Sequence, residues 1–227
     1  MFVFQSNLAH LLELDPGFSE EPSLAPGNGR VFLSSDRTPL IGVGCLSPGA
    51  TTMVNQLENQ VALGGASAFV AYNLSGGIGT DIEPGDISVV GTAVRDDGIS
   101  DHYLPSSDTV DSDPLLTESI RAGPAEAFTK CEIRTSWTNP AVYRETAAEL
   151  EHYESSGVSL VESETAALLA VAQAVGVAAP AVLVPTSVWH QGEERKAASW
   201  DEIARVHREG FVKLLDTLAP EVGAEPE

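Results

Sequence analysis

The run LVESETAALLAVA (residues 160–172) places two glutamates, Glu162 and Glu164, two residues apart at the mouth of an apolar helix. A carboxylate can accept both O–H donors of two neighbouring hydroxyls as charge-assisted bonds, so this pair could hold a sugar. The same carboxylates could simply face the positive N-terminus of the following helix. The residues alone leave both readings open. His190 could titrate near neutrality or be an exposed loop histidine. Trp137 could stack on a flat ring or fill the core. Arg95 and Arg144 could take an anion, and Arg144 could equally pair with Glu145 or Glu149. Cys45 and Cys131 lack CxxC or His spacing and read as two buried thiols. His10, His102, His152, His190 and His207 form no HxxxH or HxH pair, so no metal site is expected.

These residues must be positioned by strands and helices in alternation. RVFLSS, PLIGVG, SAFVAYNL, DISVVGTAV, AFTKCEIRT, VSLVE and APAVLVPT read as strands. Residues 48–64, PLLTESIRA, YRETAAELEHYESSG, ETAALLAVAQAVG and SWDEIARVHREGFVKLLDTLA read as helices. The last has Ser199 as N-cap and Glu202 three residues on. The pattern predicts a single α/β domain with a mixed, mostly parallel central sheet flanked by helices. Residues 1–30 read as a short helix and a loop, 31–219 as the domain, and 220–227 as a loose acidic tail. Ligands in such folds sit in loops at the carboxyl ends of strands. Here those loops are 44–48, 73–80, 95–106, 136–143, 162–164 and 185–191.

Charge is the strongest compositional signal. The chain of 227 residues carries 33 acidic against 12 basic residues, a formal charge of −21, and its only lysines are Lys130, Lys196 and Lys213. Such a surface repels itself at low salt and is screened at molar salt. This points to a salt-adapted organism, with an ordinary acidic protein as the alternative. Nucleic-acid binding is disfavoured, because it needs basic surface to displace counterions. No run of about 18 apolar residues offers a membrane span, and the start has no basic n-region, so a cytoplasmic location is expected.

Four stretches resemble the nucleoside phosphorylase family, of the uridine and hexameric purine nucleoside phosphorylase type. VESETAALLAVAQAVGV is similar to its V-E-M-E-x-A-A-L-x-x-V-A segment, and DIEPGDISVVGTAVRDDGISDHYLP to its D-I-x-x-G-D…A-V-R-x-E-G stretch. TSWTNPAVYRET resembles its W-T-T-D-A-x-Y-R-E-T segment, and GVGCLSPGA its G-x-G-x-x-S-A turn. They occur in order over about residues 39–215. The resemblance implies a nucleoside phosphorylase-like fold and transfer of ribosyl from a nucleoside to phosphate, with no cofactor and phosphate as co-substrate. It implies that Glu164 holds the ribose hydroxyls, with Glu162 and Ser163 beside it, Ser163 standing where the family has methionine. Ser75 and Gly76 would line the base, and Trp137 would stack on it. Thr186 and Ser187 fall where purine members carry a Ser-Asp pair that supplies the acid. That substitution tilts the expected substrate toward uridine, with His190 as a candidate acid. The family also implies a homo-oligomer, a dimer or a hexamer built of dimers, whose neighbouring subunit could lend a cation.

The resemblance fails at phosphate. The family's G-D-P-x-R loop has no counterpart before residue 39. Its second phosphate arginine falls on Ala71, its glycine on Asn73 and its hydroxyl residue on Leu74. Arg95 and Arg144 are the only arginines in matched segments that could substitute. Two other readings therefore stand beside phosphorolysis: a non-catalytic nucleoside-binding or assembly subunit, and a phosphate-independent nucleosidase using water. The charge balance predicts that the thermal midpoint rises from low salt to molar KCl. A midpoint indifferent to salt, followed by circular dichroism, would refute salt adaptation.

Overall fold

The computed structural model describes residues 1–5, 12–13, 15–25, 29–37, 39–45, 48–123, 131–197 and 199–219. The strands are β1 (Phe2–Gln5), β2 (Phe18–Glu20), β3 (Arg30–Ser34), β4 (Gly42–Cys45), β5 (Phe69–Ile78), β6 (Ile87–Arg95), β7 (Thr109–Asp111), β8 (Cys131–Thr138), β9 (Leu160–Glu162), β10 (Ala181–His190) and β11 (Glu193–Lys196). The helices are α1 (Ala50–Ala62), α2 (Pro114–Arg121), α3 (Ala147–Ser155), α4 (Thr165–Val175) and α5 (Trp200–Leu218).

The strands order as β11–β10–β6–β8–β9–β5–β1–β4–β3–β2, with β7 on β6. The long pairings β5–β10 and β6–β8 are parallel, as are β1 with β4 and β5, and β8 with β9. Antiparallel pairs are short or marginal, so the mixed, mostly parallel sheet is as expected. Because β10 also pairs with β5, strands β5, β10, β6, β8 and β9 close into a ring. Both faces are covered, which is why these strands read as continuous apolar runs. Phe69 and Ala71 pack in one core with α1 and α4. Val70 and Tyr72 pack in the other with Phe211, Leu214 and Leu215 of α5.

The N-terminal segment departs from expectation. Leu12 and Glu13 are helical, but Phe2–Gln5 is a strand lying between β4 and β5. Four residues at the chain start are too few to show a period of two. The expected tail 220–227 and residues 127–130 of the AFTKCEIRT strand lie outside the described residues. Among the described residues no helix is long and apolar enough to cross a membrane.

Helix ends follow local chemistry. Ser199 Oγ accepts from Glu202 N at 3.1 Å at the start of α5. Thr146 and Glu149 form a capping box on α3. The segment predicted as loop 185–191 is instead strand and turn. Gln191 and Gly192 both have positive φ and join β10 to β11, whose end pair is His190 with Glu193. That is the geometry of a two-residue hairpin turn.

The ring closes where β10 returns to β5. A register shift lies between Pro185, paired with Ser75, and Val188, paired with Gly77. A Cβ on Gly77 would sit 2.7 Å from Val188 Cγ2 and 3.4 Å from Pro185 Cβ. Gly77→Ala is therefore expected to lower unfolding free energy by about 1–3 kcal/mol, and Val188→Ala in that background to lose less than its cost in the wild type. Additive costs in a denaturant-melt cycle would contradict this contact.

Candidate functional site

A cleft of about 500 Å³ opens at the carboxyl ends of β5 and β9 and along the bulge of β10. Three elements converge on it for local reasons. Helix α4 is buried from Thr165 to Ala172, so its first amide groups cannot turn to water. Glu162 meets that need, its Oε2 accepting from Glu164 N at 2.8 Å and Thr165 N at 2.7 Å. Thr138 Oγ1 donates to Glu162 Oε1 at 2.6 Å and accepts from Ala166 N at 2.9 Å. The helix-start reading thus holds for Glu162. Burial, aided by the neighbouring Glu164 charge, pushes the Glu162 carboxyl up to about 7 against the hydrogen bonds donated into it.

Glu164 is placed differently. Its Oε1 accepts from Gly49 N at 2.8 Å and from Ser163 Oγ at 3.0 Å. Gly49 precedes α1 with φ of 128°, a conformation that favours glycine. The helix N-terminus so holds a carboxylate at the cleft wall.

Thr186 and Ser187 occupy the β10 bulge between the residues paired with Ser75 and Gly77, and both line the cleft. Bulges re-aim side chains in this way. Ser75 and Gly76 line it too. The Ser75 hydroxyl is buried without a hydrogen-bond partner. Glu162, Ser163, Glu164, Ser75, Gly76, Thr186 and Ser187 are therefore brought together.

Four predicted residues are not. Trp137 is buried, stacks on Tyr153 at 4.3 Å, and donates its indole N–H to Asp96 at 3.1 Å. It is a core tryptophan. His190 lies on strand β10, not in a loop, with Nδ1 2.5 Å from Glu154 of α3. Arg95 is spent on its own connection, bonding Asp101 at 2.6 Å, Ser100 at 2.9 Å, and Pro105 O and Ser107 at 2.8 Å. Arg144 is exposed on a 3-10 turn whose neighbours Val142 and Glu145, not Arg144, line the cleft. Its suggested partner Glu149 is used in the Thr146 cap.

Asn73, from the expected loop 73–80, lines the cleft too, and Glu145, Glu194 and Trp200 line it without having been anticipated. Glu145 is raised above the usual carboxylate range by burial and by Glu149. Glu194 is lowered by hydrogen bonds from Ser187 and Lys196. Only the positive-φ turn at Gln191–Gly192 signals the hairpin that delivers Glu194, and QG is a weak turn signal. The lining carries four glutamates and, among the described residues, neither lysine nor arginine.

A mixed sheet with helices on both faces and a cleft at its strand ends places the chain in the α/β class, in which ligands are bound at the carboxyl ends of strands. The chain belongs to the phosphorylase superfamily, whose family model matches residues 29–219. Its fold is similar to uridine phosphorylase from Vibrio fischeri ES114 in complex with 6-hydroxy-1-naphthoic acid (TM-score 0.80, 20% identity, covering 96% of this chain and 90% of that one). It is also similar to the 5′-methylthioadenosine/S-adenosyl homocysteine nucleosidase of Campylobacter jejuni (0.76, 14%, 96% and 97%). A futalosine hydrolase mutant from Helicobacter pylori strain 26695 is a third such structure (0.74, 16%, 96% and 97%). A comparison with curated proteins found no match.

The buried Glu162 makes stability depend on pH. Its folded value of about 7 lies above the ordinary 4.5, so the native state holds an extra proton between them. The stability it contributes is present at low pH and is lost as pH rises through about 7. Relative to Glu162→Gln, the wild type should lose roughly 3 kcal/mol across that window. Buried His207 is common to both proteins and cancels. A pH-independent difference in urea melts would show that Glu162 is ionised throughout.

Proposed function

We propose that this chain cleaves the N-glycosidic bond of a nucleoside, with water rather than phosphate accepting the ribosyl group. The observation carrying this reading is the cleft's charge, four glutamates with no described cation in its lining. A phosphate dianion would meet repulsion there, and an oxocarbenium-like ribosyl group would be stabilised. Arg95, which resemblance offered for phosphate, is committed to its own loop. Solved structures with a similar fold include a nucleosidase and a hydrolase as well as a phosphorylase, which is compatible with water as acceptor.

Glu164 accepts the ribose hydroxyls, held in place by Gly49 N–H and Ser163. Ser75, Gly76, Thr186 and Ser187 lie toward the base. The uridine-like preference stays with this reading, since Ser187 stands where purine members have an aspartate and a hydroxyl is a poor acid. Binding without turnover is the second reading, favoured by Glu162 being consumed in the helix cap.

The test is release of free base from a nucleoside panel at molar salt, with and without phosphate. Release that phosphate does not change is expected, falling about 10²- to 10³-fold in Glu164→Ala. Release that requires phosphate would restore phosphorolysis. Folded protein that binds nucleosides without turnover would establish the binding reading.

A further inference from the structure

A second cavity of about 340 Å³ adjoins the cleft and shares Thr186, Ser187, Glu194 and Trp200 with it. Its far wall adds Lys196, the one cation bordering either cavity among the described residues. Lys196 lies directly across from Ser187 in the β10–β11 ladder. Its ammonium is 3.1 Å from Glu194 Oε2, and Glu194 also takes a hydrogen bond from Ser187. Successive strand residues point to opposite faces, and Arg195 between them turns away. Arg195 donates to Gly79 O at 3.0 Å and Ile82 O at 3.2 Å and pairs with Glu83. The hairpin is thereby pinned to the β5–β6 connection. Trp200, the first residue of α5, lies 69% exposed at the shared wall.

We propose that this second cavity is the leaving-group subsite, in which Lys196 holds the departing base, Glu194 fixes Lys196 and Ser187, and Trp200 covers the base's flat face. The inference rests on the glycosidic cleavage proposed above. As the C1′–N bond breaks, its electron pair goes to the base. The water oxygen forms the new bond to C1′. The base takes up the proton that water releases, while Lys196 keeps its own and hydrogen-bonds the base carbonyl where negative charge builds. The exposed Lys196–Glu194 pair is cheap to open, so the ammonium can swing to substrate. The arrangement returns a charged group to the base side, where Thr186 and Ser187 stand in place of the family's Ser-Asp pair. It also suits a base whose edge pairs a donor, for Glu194, with an acceptor, for Lys196.

Two substrates separate this assignment from the cleavage reading. Uridine has a poor leaving group. p-Nitrophenyl β-D-ribofuranoside has one that departs without help. In Lys196→Met the ratio of uridine to nitrophenyl riboside cleavage should fall at least tenfold, while Glu164→Ala should depress both together. An unchanged ratio overturns the role of Lys196, and no cleavage of either substrate by the wild type overturns the underlying reaction. Direct binding gives a readout free of turnover. Uracil titrated by calorimetry should bind the wild type and lose at least tenfold in affinity in Trp200→Ala, with ribose affinity unchanged. Equal uracil affinity in the two proteins would remove Trp200 from the subsite.

Discussion

The carboxylate of Glu162 carries more of this structure than its exposure suggests. Helix α4 lies between sheet and helices with no solvent for its first amides, and an unpaired buried amide costs about 1–3 kcal/mol. Glu162 and Thr138 absorb three of them, Glu164, Thr165 and Ala166. The same network ties β8 to β9 and fixes where the chain turns into α4. Glu164 follows two residues later, so its direction is set by the cap of Glu162. Two glutamates that look alike in sequence thus divide the work, one holding the start of α4 and the other facing the cleft, its carboxylate held by Gly49 at the start of α1.

Electrostatics then limits what the cleft can take. Three arginines that could have served the cleft are tied up structurally. Arg134 is bound by Asp81 and Glu132, Arg95 by its own loop, and Arg195 by the β5–β6 connection. The charge deficit of the whole molecule is sharpened at the cleft, whose lining holds four glutamates and, among the described residues, neither lysine nor arginine. The hydrolytic reading proposed above rests on this charge, which favours positive charge developing on a sugar over the entry of a dianion.

The β10 bulge and its hairpin convert the sheet into a site. Without the bulge, Thr186 and Ser187 would alternate in and out of the barrel wall like any strand pair. With it, both line the cleft, and the chain continues to β11 and returns Glu194 and Lys196 to the same wall. A short turn of two residues with positive φ suffices because the pairing of Ser187 with Lys196 is fixed by the turn itself.

The sequence by itself determined the α/β alternation, the helices with their Ser199 and Thr146 starts, and the cluster Glu162–Ser163–Glu164. Each of these is written in local periodicity or in a cap within a few residues. By resemblance it also put Ala71, Asn73 and Leu74 where the family carries phosphate-binding residues. The tertiary structure alone decided that Trp137 is core, that Arg95 and His190 serve Asp101 and Glu154, and that β1 sits mid-sheet. It alone brought Glu145, Glu194 and Trp200 to the cleft. Apart from Arg95, whose partners lie 5 to 12 residues on, those choices depend on partners tens of residues away, brought together by ring closure and by a bulge. A side chain's role as packing or as ligand contact is set by which neighbours exclude water from it, and that is a property of the folded surface.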